Sequence, residues 1–84
     1  MDIYIYVLIN GINDEKYVGI SNDIDRRLIE HNRGTNRYTK AFLPWTIAFS
    51  EIFPDYKSAR VREKYLKSAA GRRFIKNHLN ELNK

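Results

Sequence analysis

From Ile3 to Ile9 the chain alternates, with Ile3, Ile5, Val7 and Ile9 directed to one side and Tyr4, Tyr6 and Leu8 to the other. That is the period of a β-strand. Asn10-Gly11 and Asn13-Asp14 then carry turn chemistry, and Lys16 to Ile20, with Tyr17 and Val18, supplies a second short strand, so the two should form a hairpin. A loop spanning Asn10 to Asn13 would set Tyr6 directly opposite Tyr17, with both phenols on one face of the sheet. Asn22 can cap a helix whose first turn holds Asp23 and Asp25, and Gly34 ends it. On one side of that helix Ile24 and Leu28 anchor it to the core, while Arg27 and His31, four apart, project beside them.

A loop from Gly34 to Pro44, containing Arg37, Tyr38, Thr39 and Lys40, leads to a third strand of β-branched and aromatic residues over Trp45 to Phe53. Pro54 and Asp55 close it. Ser58 or Asp55 can start a second helix running to Ala70, where Gly71 breaks it, and Arg72 to Leu82 forms the last helix. The predicted order is β-β-α-β-α-α: one α+β domain over residues 1–84, with a three-stranded antiparallel or mixed sheet flanked by helices.

Eighty-four residues suit a single core, because two domains of half that length would each sit near the lower limit of independent folding. The absence of Cys removes disulfides, thiolate metal sites and a cysteine nucleophile, and two His cannot complete a zinc finger. The longest apolar run, Ile3 to Ile9, is far short of the ~20 residues that span a bilayer. The start at Met1-Asp2 lacks the basic, small-residue pattern of a secretory signal, so the expected location is cytoplasmic, with no membrane partner.

Charge is unevenly spread. Residues 1–25 hold one Lys and five acids, whereas the rest of the chain holds fourteen bases and five acids, which leaves a net charge of +5. A basic downstream region favours a polyanion, of which nucleic acid is the usual one, although a merely charged surface has the same composition.

Glu63 shares a helical face with Ala59, Leu66 and Ala70, so it should point towards the core or a cleft. A carboxylate there needs a partner: a metal ion, or a salt bridge with Arg60 or Lys67. Arg27 could equally be a snorkelling stem and His31 a partly exposed residue at the core edge. A tyrosine acts as a base only with positive neighbours, and Arg27 would favour the phenolate. These residues make a candidate Tyr-Arg-His-Glu cluster without naming a reaction.

Tyr4-Ile5-Tyr6 followed by Tyr17-Val18-Gly19 resembles the paired signature of the GIY-YIG nuclease superfamily. The resemblance continues through Ile20-Ser21-Asn22-Asp23-Ile24-Asp25-Arg26-Arg27-Leu28 and His31, and Glu63 sits where the family places its metal-binding glutamate. Lys67-Ser68 and Gly71-Arg72 also look like its small stand-alone members. One departure is visible: Tyr4 stands where the family's first tripeptide opens with Gly.

The resemblance implies a divalent-metal-dependent endonuclease, with Mg²⁺ or Mn²⁺ held by Glu63 and otherwise by water and phosphate oxygens. Its catalytic residues would be Tyr6, Tyr17, Arg27, His31 and Glu63. Tyr6, poised by Arg27 and His31, is the expected general base and Tyr17 would orient the water, with the assignment between the two phenols open. Arg27 would stabilise the pentavalent transition state, and Lys40, Lys67 or Arg72 would position a phosphate. The expected substrate is DNA in preference to RNA, cleaved with low sequence specificity unless a protein partner supplies it. A non-catalytic nucleic-acid-binding module, or a nuclease acting on RNA, is the alternative.

Overall fold

The computed structural model of the protein describes residues 2–10, 15–37 and 39–82. The central strand β1 (Ile3–Asn10) lies between β2 (Lys16–Ser21) and β3 (Trp45–Phe53) in an antiparallel sheet of order β2-β1-β3. Helices α1 (Ile24–Asn32), α2 (Tyr56–Leu66) and α3 (Ala69–Leu82) complete the expected α+β order. A 3₁₀ turn over Thr39–Phe42 occupies part of what the sequence offers only as a loop.

Alternation along β1 divides the interior in two. Ile3, Ile5 and Val7 join Val18, Ala59, Leu66 and Ile75 in a core covered by α2 and α3, with Phe49, Phe53 and Phe74 packed at its border. Tyr6 and Leu8 face the other way, against Trp45, with Ile24 and Leu28 of α1 closing over them. A bulge in the β1–β3 pairing, where Val7 faces Phe49 but Leu8 faces Ile47, lets Ala48 and Phe49 serve the first core while Ile47 and Trp45 serve the second.

The hairpin register differs from the sequence expectation. Tyr6 faces Gly19, and Tyr17 faces Leu8. The turn is displaced by one residue and not lengthened: Asn10 belongs to β1, and its N–H donates to Glu15 C=O at 2.9 Å, where the expected loop would have begun at Asn10. Gly11, Asn13 and Asp14, which carry the predicted turn chemistry, lie outside the described residues, as does Tyr38 of the later loop. Because side chains repeat every two residues, a two-residue slip leaves each on its own face, and the two phenols still share one.

Two helix boundaries also move. Asp23 caps α1 in place of Asn22, its carboxylate accepting from Arg26 N–H at 3.1 Å, with the turn before it held by Ser21 Oγ. Gly34 follows the helix at φ 78°, a left-handed conformation suited to glycine. Asp55 caps α2 through Ser58 N–H at 2.8 Å. The α2–α3 break falls at Lys67-Ser68, where Ser68 Oγ accepts from Gly71 N–H at 3.2 Å. Gly71 is therefore inside the first turn of α3 and does not stop α2. Its role is close approach: a Cβ there would strike the Tyr65 carbonyl oxygen and Leu66 Cα, and would lie 2.6 Å from the Leu66 carbonyl carbon.

Candidate active site

The second, smaller core is where the sequence's candidate residues meet. Tyr6 comes from the middle of β1, Tyr17 from the edge strand β2, and Arg27 and His31 from consecutive turns of α1. Tyr6 Oη lies 3.2 Å from His31 Nε2. The Tyr17 ring centroid is 4.7 Å from that of His31 and 6.3 Å from that of Tyr6. Tyr6 can lie flat across β2 because its cross-strand partner is Gly19: a Cβ there would overlap Tyr6 Cζ and Oη and come within 2.8 Å of Cε2.

Arg27 reaches the same phenol oxygen while its Nη1 donates to Glu30 Oε1 at 2.7 Å. A guanidinium has donors only. One tautomer of His31 directs the phenol proton at the other neighbour, His31 Nε2, which accepts it through its lone pair. A neutral imidazole then carries its proton on Nδ1, donated to Thr39 Oγ1 at 2.8 Å. Neutrality is what the surroundings favour, since burial, and after it the positive charge of Arg27, holds the His31 pKa below the ordinary imidazole value.

Tyr6 corrects one sequence expectation. Arg27 does favour the phenolate, but the ring is 1% exposed, and burial, aided by the negative charges that Tyr17 and Glu63 would add, pushes the phenol pKa above its usual value. Desolvation outweighs the neighbouring cation. His31 is likewise fully buried, not a core-edge residue.

Glu63 comes from α2, in the opposite helical layer. Its carboxylate is largely covered and takes an ion pair with Lys67 at 3.4 Å, one of the two structural partners the sequence offered; Arg60 instead lies over the Tyr56 ring at 5.8 Å. Among the described residues no cluster of three or more His, Asp or Glu could cage a metal. One carboxylate with a long, replaceable lysine contact does suit a hydrated Mg²⁺ or Mn²⁺, which keeps several waters and takes further oxygens from a phosphate. The donor chemistry of Glu63 therefore fits the implied cation. Of the expected phosphate-binding residues, Lys67 and Arg72 line one groove of about 510 Å³, which Tyr17 also borders, whereas Lys40 is exposed on the 3₁₀ turn and does not line it.

Four supporting residues escaped the sequence reading. Thr39 is completely buried against His31; Trp45 Nε1–H donates to its carbonyl at 2.8 Å, and Asn36 Oδ1 accepts from its N–H at 3.0 Å. Asn32, one residue past His31, clasps Trp45 on both sides, accepting from its N–H at 2.7 Å and donating to its C=O at 3.1 Å. The lone tryptophan was the available signal, because a buried indole N–H requires an acceptor.

Comparison with known proteins agrees with this architecture. The family described as the GIY-YIG catalytic domain matches residues 2–83. A UPF0213 protein of Streptococcus agalactiae is 37% identical over 82 residues, covering 93% of this chain and 92% of that protein. UPF0213 proteins of Xanthomonas campestris are 43% identical over 56 residues, which is 66% of this chain and 55% of theirs, so the match spans about half the length of those relatives. The solution NMR structure of a UPF0213 protein from Bacillus halodurans is similar with a TM-score of 0.55 at 29% identity, over 98% of this chain and 85% of that one.

Proposed function

The chain belongs to the GIY-YIG family, and from that premise we propose that it is a divalent-metal-dependent endonuclease that hydrolyses phosphodiester bonds in DNA, with low sequence specificity of its own. The observation that carries this reading is the buried Tyr6–His31 hydrogen bond with Arg27 on the same oxygen. A phenol whose pKa is raised is a poor phenolate but a workable relay. Tyr6 takes a proton from the attacking water as it passes its own to His31 Nε2, so that no free phenolate is required. Tyr17, whose ring packs beside Tyr6 and His31, orients the water. Arg27, held by Glu30, presents its remaining donors to the charge that accumulates on the pentavalent phosphorus. Glu63 would hold Mg²⁺ or Mn²⁺, which when bound neutralises the phosphate and stabilises the leaving oxygen.

A second reading, a non-catalytic nucleic-acid-binding module, is favoured by the Glu63–Lys67 ion pair and the burial of Tyr6, both of which a purely structural role would also produce. The two are separated by incubating the protein with single-stranded, duplex and branched DNA and RNA, with Mg²⁺, with Mn²⁺ and with a chelator. Endonuclease function predicts cleavage that the chelator abolishes and that Glu63→Gln abolishes while leaving the fold intact. Binding that survives the chelator, with no cleavage under any condition, would sink it. Faster cleavage of RNA than of DNA would reassign the substrate.

A further inference from the structure

Helix α2 carries a row of charge that the candidate site leaves unused. Lys57, Arg60, Lys64 and Lys67 follow one another at steps of three, four and three residues, and all four are exposed. With 3.6 residues per turn they fall on one flank of the helix, within a band of about 80°. The opposite flank is neutralised, since Arg62 donates to Glu51 through both Nε and Nη2, at 2.8 and 3.0 Å. On the cationic flank only Lys67 has an ion pair, with Glu63. Lys57, Arg60 and Lys64 have none among the described residues, and Arg60 overlies the Tyr56 ring.

A face that served solubility alone would be built differently. It gains by interleaving acids with bases at i and i+4, whereas like charges at these spacings repel one another. Lys57 stands in the first turn, where the helix dipole disfavours a cation; that turn holds no acid, and the N-cap carboxylate of Asp55 is taken up by Ser58. The row therefore weakens the helix that bears it, and its charge answers to something outside the chain.

Position indicates what that is. Arg60 and Lys67 lie one turn before and one turn after Glu63, the implied metal ligand. Beyond them Lys67 meets Arg72 of α3 across the groove, and Lys76, exposed like Arg72, follows one turn later. From Lys57 to Lys67 the row is about 15 Å long at ~1.5 Å per residue. One strand of a duplex presents a phosphate every ~3.4 Å along its axis, so several successive phosphates can face the row. A single anion would engage one or two of these cations; a row of cations matches a row of phosphates.

We infer that the flank of α2 formed by Lys57, Arg60 and Lys64 binds the sugar–phosphate backbone of nucleic acid, holding the strand alongside the phosphate at Glu63 and leading it to Lys67 and Arg72. Such contacts supply affinity and register without reading bases. The inference deepens the nuclease reading and rests on it for the phosphate at Glu63; the binding itself is tested without any cleavage.

In chelator, binding of a labelled DNA duplex is followed by fluorescence anisotropy at 50 and 200 mM salt, a range of the order over which phosphate contacts are read. The triple variant Lys57→Gln/Arg60→Gln/Lys64→Gln is compared with Arg26→Gln/Arg33→Gln/Arg37→Gln, which has the same net charge and removes exposed cations of α1 and of the loop after it. Three lost phosphate contacts should lower the salt slope by about 2.7, so the wild-type advantage over the α2 variant shrinks roughly fortyfold between the two salt concentrations, while the α1 variant keeps nearly the wild-type slope. Lys64→Gln alone should lower the slope by about 0.9. Lys57→Glu should raise the melting temperature, because an acid suits the start of a helix, and yet weaken binding; a solvated face would give the first effect without the second. An unchanged slope in the α2 variant, an equal loss in the α1 variant, or equal affinity for polyglutamate of the same charge overturns the proposal. Binding with the expected slopes but no cleavage when Mg²⁺ is restored would refute the nuclease reading and leave the α2 assignment standing. Cleavage by an α2 variant whose slope is unchanged would do the reverse.

Discussion

Thr39→Val offers a sharp check on the proton arrangement around Tyr6. Valine has nearly the shape of threonine, so the change removes Oγ1 and little else. In the structure that oxygen is the 2.8 Å partner of His31 Nδ1, and both residues are buried, so no bulk water replaces it. Leaving a buried donor unsatisfied costs about 1–3 kcal/mol. Thr39→Ser keeps the hydroxyl and should cost only the deleted methyl, roughly 0.8 kcal/mol. Denaturant unfolding measures both values, and ¹⁵N-detected histidine NMR reads the tautomer. The wild-type protein should show the His31 proton on Nδ1 and a lone pair on Nε2. Valine should destabilise by the larger amount and mix the tautomers, and serine should restore the wild-type pattern. In a cleavage assay valine should lower kcat with little change in KM, since Thr39 acts through His31 and does not touch substrate. A wild-type proton on Nε2, or a valine variant with unchanged stability and tautomer, would refute the relay.

Arg27→Ala should reduce turnover by about two orders of magnitude or more, the scale of losing one transition-state charge stabiliser. Arg26→Ala, one residue away and exposed, should have far less effect on turnover, and equal losses in the two would indicate general phosphate binding instead. The pH–rate profile tests the base. His31, held below about 6.5, is neutral near pH 7, so a Tyr6–His31 relay predicts a rate that is flat above neutrality and falls on acidification as His31 takes a proton. A rate that climbs steadily through alkaline pH points to a phenolate. Tyr6→Phe should abolish the acid limb and Tyr17→Phe should lower the rate while retaining it; the reverse moves the base to Tyr17. The depressed His31 pKa carries a stability consequence of the same sign: the unfolded chain binds the proton more readily, so stability is complete above about pH 6.5 and declines as pH falls below it. Finally, Gly71→Ala should destabilise, although Ala in place of Gly within a helix ordinarily stabilises by about 1 kcal/mol. The new Cβ meets the Tyr65 and Leu66 backbone, which no rotamer can clear, and overpacking of this kind costs about 1–3 kcal/mol. A raised melting temperature would contradict the close approach of α2 and α3.

Much of the fold was written in local pattern. The β-branched and aromatic run of β3 gave that strand its limits, the two-residue alternation of β1 placed its strand to within one residue, and Asp55, one of the two starts the sequence offered for α2, is its cap. What escaped depends on contacts distant in sequence. Gly71 is a helix breaker by propensity, yet it lies in a helix because Leu66 packs against it. The same holds at the site. Tyr6, Tyr17, Arg27 and His31 could be grouped by face and spacing, but the direction of the Tyr6 pKa could not, because it turns on how completely Trp45, Leu8 and α1 seal the ring. Thr39 sits in a polar loop with no periodicity, and only the 3₁₀ turn held by Trp45 and Asn36 brings its hydroxyl to His31.

The departure at Tyr4 can be understood on the same terms. Tyr4 and Gly19 occupy the positions at which the family's two tripeptides carry glycine, but the structure asks different things of them. Tyr4 pairs with Ser21 on one side and Ile52 on the other, and its side chain is only half-buried. Gly19 lies directly across from Tyr6, and the phenol occupies the space in which its Cβ would stand. The second glycine is therefore a consequence of the tyrosine on the neighbouring strand. It allows a large ring to lie flat over the edge strand with its oxygen reaching His31. Tyr17, two residues before Gly19 and on the same face, borders the opening that results. In this chain the chemically meaningful unit of the signature is thus the cross-strand triangle of Tyr6, Gly19 and Tyr17, and a bulky residue at position 4 leaves that triangle intact.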